Sequence, residues 1–156
     1  MPRAVPVHDW GYRTRRREPT GRHLAGTLMS KGTRREKEAC ELYEQAGYTT
    51  YRPATVQYGE NDVFGLFDLI AVHPARKPRY VQVKSNRASG INAWMDDATD
   101  LMPPEHAVVE FAVCHDREGW RVAQPAAGGY EWVYDGRSSQ ASMGDPFIDM
   151  LERGEV

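Results

Sequence analysis

Two short runs of alternating polarity, FDLIAV at 67–72 and YVQVK at 80–84, constrain the fold of this chain most tightly. Side chains alternate between the faces of a strand, so Asp68, Ile70 and Val72 share one face of the first run. Tyr80, Gln82 and Lys84 share one face of the second, with Val81 and Val83 opposite. The link at 73–79 holds Pro74, Pro78 and three basic residues and reads as a turn. An antiparallel hairpin centred near Arg76 sets Asp68 opposite Lys84, with Gln82 beside them. An unpaired charge is costly to bury in an apolar hairpin. An acid, an amide and an amine meeting there must therefore satisfy one another or hold a metal ion.

The rest of the chain reads as elements around that hairpin. Residues 33–46 place Ala39, Leu42, Tyr43 and Ala46 at helical spacing, with Gly47 positioned to end the helix. Glu36 lies about 70° from the centre of this apolar stripe and is the acid best placed to look inward. It also completes a Thr33-x-x-Glu36 capping box, so two roles compete for one side chain. A β-rich run at 49–51 precedes Pro53, and a polar loop at 59–65 leads into the hairpin. A polar turn at 85–90 follows, then a helix over 91–102 stopped by Pro103 and Pro104. Strands at 107–115 and 120–124 flank the turn 116–119, with another strand at 130–134 and a short helix at 146–153. The expected fold class is α/β.

With 156 residues, 40% of them hydrophobic, the chain is long enough for one compact domain, expected over 31–156. Residues 1–30 have no apolar periodicity and carry the cluster Arg13, Arg15, Arg16 and Arg17, which reads as a basic arm. Cys40 and Cys114 fit neither a disulfide framework nor a zinc spacing, so a reducing, cytoplasmic setting is expected. No long apolar run implies a membrane. The net charge of −2 argues against a simple basic nucleic-acid binder, but its distribution is uneven. Residues 1–37 hold ten Lys and Arg against three Asp and Glu, whereas residues 100–156 hold four against eleven. One end can meet phosphates that the other repels.

Phosphodiester hydrolysis needs a cation to neutralise developing charge and a water made nucleophilic. Hard oxygen donors suit magnesium: Asp68, the Gln82 carbonyl oxygen, Glu36 as a second carboxylate, and a strand carbonyl near Val83. Lys84 can orient or deprotonate the attacking water, or hold a phosphate oxygen. The bland readings are a strand-edge Asp68 and a solvated face bearing Gln82 and Lys84. His8, His23, His73, His106 and His115 show no ligand spacing, and the glycines match no phosphate-binding fingerprint.

The segment 31–39 (KGTRREKEA), followed by Gly47-Tyr48 and Arg52, then Asp68 and Gln82-Val83-Lys84, resembles the PD-(D/E)XK nuclease superfamily, and within it the archaeal-type Holliday junction resolvases. The likeness runs from Lys31 to about Arg87. It implies a restriction-endonuclease-like core, a central mixed β-sheet flanked by helices. It also implies a magnesium ion, with manganese a possible substitute, held by Glu36, Asp68 and Gln82, with Lys84 assisting the water. Lys37, Arg52, Asn86 and Arg87, with Arg34 and Arg35 on the same basic segment and Arg15, Arg16 and Arg17 on the arm, are then the expected DNA contacts. The implied partner is branched DNA, a four-way junction nicked on paired strands by a homodimer, since two related cuts call for two-fold symmetry. Gln82 stands where the family usually carries Glu, and Phe67 where it carries the motif proline. The alternatives are another restriction, repair or nicking nuclease on the same core, or a DNA-binding module whose nuclease site has decayed.

Overall fold

In the computed structural model, which describes residues 29–54, 62–138 and 145–156, the hairpin lies inside a six-stranded sheet ordered as in the sequence. Helix α1 (Lys31–Gln45) precedes strands β1 (Thr49–Tyr51), β2 (Leu69–His73) and β3 (Arg76–Ser85). Helix α2 (Ile91–Leu101) leads to β4 (Val108–His115), β5 (Gly119–Ala126) and β6 (Gly129–Asp135), and α3 (Asp145–Arg153) closes the chain. Neighbouring strands are antiparallel except β3 and β4, which run parallel. A parallel pair needs a crossover connection, and α2 supplies it. The expected mixed sheet flanked by helices is therefore present, with strand and helix positions close to those read from the sequence. The arm, with Arg15, Arg16 and Arg17, lies outside the described residues.

Alternation divides the core into two layers. On one face Leu69, Ala71, Val81, Val83, Ala112 and Cys114 pack with α1 and α3 through Ala39, Tyr43, Phe147 and Leu151. On the other, Phe67, Val109, Phe111 and Val113 pack with α2 through Ile91, Met95 and Ala98. Central strand β4 is covered on both faces, which explains its nearly unbroken apolar run. Cys40 and Cys114 are buried free thiols. Among the described residues, no helix is long and apolar enough to cross a membrane.

Two local expectations change. The hairpin turn is only Pro74 and Ala75, with His73 paired to Arg76, and a register irregularity follows between Ala71 and His73. Leu69 then pairs with Val81 and Ile70 with Tyr80, so Gln82 rather than Lys84 comes opposite Asp68. A two-residue slip leaves the faces of the paired strand residues unchanged, and Asp68 and Gln82 still meet, although Lys84 does not join them and alternation breaks just before β2, where Phe67 and Leu69 lie on opposite faces. The second change is at α1, which begins earlier than its apolar stripe. Ser30 is the N-cap, its hydroxyl accepting from the Thr33 N–H at 3.2 Å. Glu36 is thereby released from capping.

One polar group in the core was not anticipated. Glu110 is fully buried in β4, where its carboxylate pairs with the Arg79 guanidinium of β3 and accepts from the Tyr43 hydroxyl at 2.8 Å. Arg79 Nε donates to the Tyr48 hydroxyl at 3.0 Å, and another of its nitrogens donates to the Val156 carbonyl. Burial opposes the Arg79 charge, but Glu110 and the two tyrosines outweigh it and hold the guanidinium above its ordinary pKa.

Candidate active site

Asp68 sits immediately before β2, where the apolar strand begins. Its backbone N–H donates to the Val81 carbonyl at 2.8 Å, which fixes the residue against β3. Carboxylate Oδ2 accepts from Gln82 Nε2 at 2.5 Å and from the Val83 N–H at 2.7 Å. It is thus the N–H of Val83 that reaches the acid. Asp68 is 9% exposed and Gln82 5%, so this pair is buried at the sheet margin.

Burial is the main influence on the Asp68 carboxyl and raises its pKa. The Val83 N–H opposes that, Glu36 and Asp62 push it further up, Lys84 pulls it down, and the balance lies at about 6. Two acids from separate segments therefore act on a third. Asp62 was missed in the sequence, although it stands in the polar loop just upstream and its acidity was the available signal. Glu36 projects from α1, half-buried, and accepts from Arg52 Nη1 at 3.0 Å. Lys84 is exposed and its side chain has no hydrogen bond or ion pair among the described residues; its influence on Asp68 is through charge alone.

The expected DNA contacts divide by how far each is already engaged. Lys37 and Arg87 are exposed, and their side chains make no hydrogen bond or ion pair among the described residues. Arg34 makes a long 3.7 Å pair with Glu38 on the exposed surface of α1. Arg35 is held by Glu38 at 2.5 Å and Asp116 at 2.8 Å, its side chain only 13% exposed. Asn86 exchanges hydrogen bonds with Asp116, donating Nδ2 at 3.0 Å and accepting from the Asp116 N–H at 2.8 Å, and Lys31 also pairs with Asp116. Hydrogen bonds from Lys31, Asn86 and Arg35 hold the Asp116 carboxyl far below the usual carboxylate range. Arg35 thus ties α1, and Asn86 the β3–α2 turn, to the β4–β5 turn, and among the described residues of the expected site and DNA contacts Lys37, Lys84 and Arg87 are the cations whose side chains are not engaged by protein.

The hard donors near this corner are the carboxylates of Asp68 and Glu36 and the amide oxygen of Gln82, which suit a divalent cation in kind. Among the described residues no set of three or more His, Cys, Asp or Glu is arranged to hold a metal. The third donor here would have to be the amide. As placed, Gln82 turns its NH2 to Asp68, which makes Asp68 an acid satisfied by two N–H donors with no paired cation among the described residues.

No family model matches this chain, and no curated protein matches it significantly. Among solved structures, that of Archaeoglobus fulgidus Hjc, a Holliday junction resolvase from an archaeal hyperthermophile, aligns with 22% identity and a TM-score of 0.42. The alignment covers 60% of this chain and 71% of that one.

Proposed function

We propose that this chain is a magnesium-dependent endonuclease acting on branched DNA, with four-way junctions as its substrate and a homodimer as its working form. The observation that carries the reading is Asp68: a buried carboxylate, raised to about 6 by its surroundings, beside a buried amide and an exposed lysine. Burying an acid among other acids without a cation is unfavourable, and such arrangements concentrate at functional sites. Asp68, Glu36 and, after its amide turns over, Gln82 are the residues that would hold the metal, with manganese able to replace magnesium. A bound divalent ion there supplies neutralisation of phosphate charge and a more acidic water. Lys84 holds a phosphate oxygen or orients the water from the solvent side. Lys37 and Arg87, with the arm residues Arg15, Arg16 and Arg17, contribute backbone contacts. Buried free thiols at Cys40 and Cys114 suit a reducing cytoplasm.

A labelled four-way junction incubated with protein and magnesium tests this. Wild type should cut, and Asp68→Asn should lose on the order of 10²- to 10³-fold in rate, the scale for removing one charge-stabilising group. Equal cutting by the variant would sink the site assignment, and preference for a flap or plain duplex would redirect the substrate.

One observation favours a second reading. The Gln82 amide already satisfies Asp68, and Arg52 already neutralises Glu36, so the site is tolerable without a cation. A DNA-binding module derived from a nuclease would bind junctions without cutting them and regain cleavage in Gln82→Glu.

A further inference from the structure

Just upstream of Asp68, residues 63–67 form a tight turn closed by Val63 and Phe67, which exchange backbone hydrogen bonds at 2.7 and 3.1 Å. The Leu66 N–H closes it again on the Val63 carbonyl at 3.1 Å. Two consecutive residues have positive φ, Phe64 at 56° and Gly65 at 69°. Such paired left-handed positions favour Asn-Gly or Asp-Gly, and a bulky aromatic at the first is a steric outlier. Yet Phe64 is 64% exposed, the most exposed large apolar side chain among the described residues. Neither backbone preference nor burial accounts for phenylalanine there.

The turn is anchored as though to hold that ring in place. Phe67 is fully buried, packed against Tyr80 at 5.1 Å and Trp94 at 5.8 Å between centroids. Trp94 Nε1 donates to the Leu66 carbonyl at 2.8 Å, and Val63 and Leu66 pack on the α2-side core. The turn closes at Phe67 and the chain runs directly into Asp68, so the turn abuts the candidate site. Local backbone strain maintained by well-packed surroundings is a recurrent mark of functional positions.

We infer that Phe64 is a specificity-determining wedge whose exposed ring stacks on an unstacked nucleobase at a branch point as the adjoining phosphate approaches Asp68. The inference rests on the proposed nuclease reading. Every base has a π-face, so an aromatic ring can recognise an exposed base without reading sequence, and continuous duplex offers no such face. The ring thereby favours branched over linear DNA while Lys37 and Arg87 serve both.

The test is binding of the full chain, without divalent metal, to a four-way junction carrying 2-aminopurine at its branch point and to a continuous duplex carrying the same base. Wild type should alter the junction's fluorescence and prefer it over duplex. Phe64→Asn, which suits the left-handed backbone, should keep or raise Tm, lose the fluorescence change, and weaken junction binding about ten-fold while leaving duplex binding intact. Phe64→Trp should retain both properties. Unchanged junction binding by Phe64→Asn overturns the wedge alone, as does equal weakening on both DNAs. A shifted monomer–dimer balance with an unchanged fluorescence response also overturns it, by placing the ring between copies. If wild type binds neither DNA, the nuclease reading fails and the wedge falls with it.

Discussion

The two buried polar groups of this sheet face opposite problems. Around Glu110, an Arg and the Tyr43 hydroxyl meet the acid, and the arginine is satisfied in turn by Tyr48 and the Val156 carbonyl. Around Asp68, an amide and a backbone N–H meet the acid, while Glu36 and Asp62 add negative charge and the nearest lysine stays exposed. Both acids are buried, but only one has a buried cation. A closed network specifies packing and offers nothing to a ligand; a carboxylate short of positive charge is where a cation or phosphate-bearing substrate can be received.

That contrast breaks first at Glu110. Removing one partner of a buried pair leaves the other charge uncompensated, so Glu110→Ala should destabilise the fold by about 3–5 kcal/mol, read by urea or thermal unfolding. Replacing Asp68 by a neutral acceptor should cause no loss of this kind. A Glu110→Ala protein of normal stability would erase the structural half of the comparison.

The Asp68 half is sharpened by pH. Its folded-state pKa of about 6 lies above the ordinary 3.8, so between those values the folded protein holds more protons than the unfolded chain. Stability from this group therefore falls as pH rises from about 4 to 6 and stays lowered above that range. The full difference corresponds to about 3 kcal/mol, an upper figure for a group whose surroundings can relax. Asp68→Asn keeps an acceptor for Gln82 and Val83, and should raise stability by about 1–3 kcal/mol at pH 7.5 with no gain at pH 4. A variant less stable than wild type at both pH values would mean that Asp68 is structural, like Glu110.

Why one group was legible in the sequence and the other was not follows from how each is built. Asp68 enters, and Gln82 and Lys84 lie on, adjacent strands of one hairpin, so a register slip of two still leaves Asp68 beside Gln82. Sequence could not set that register, because it depends on a turn of Pro74 and Ala75 and an irregularity beyond it. Glu36 needed helix phase, which the apolar stripe supplied, although the true cap at Ser30 began the helix before that stripe. Glu110 and Arg79 come from strands joined by a helical crossover, so their pairing is set by tertiary register, Arg79 opposite Val108 and Val81 opposite Glu110. The visible clues were a lone acid inside an apolar strand and an arginine misread as part of a turn. The Asp116 cluster was hidden similarly, since it joins α1, the β3–α2 turn and the β4–β5 turn.

The smallest expected effect tests whether Arg52 belongs to an open site or closes it. The Arg52–Glu36 pair is partly exposed, with side chains 29% and 25% accessible, so Arg52→Gln should cost less than about 1 kcal/mol of stability. It should act more visibly on charge. With Arg52 gone, Glu36 repels Asp68 without compensation, the corner becomes more negative, and a divalent cation gains more by binding there. Magnesium should then raise Tm further in Arg52→Gln than in wild type, because a ligand stabilises in proportion to how tightly the folded state holds it. A weaker magnesium response would show that Arg52 positions Glu36 for the metal, whereas a loss of several kcal/mol would place this corner in the same class as the Glu110 network.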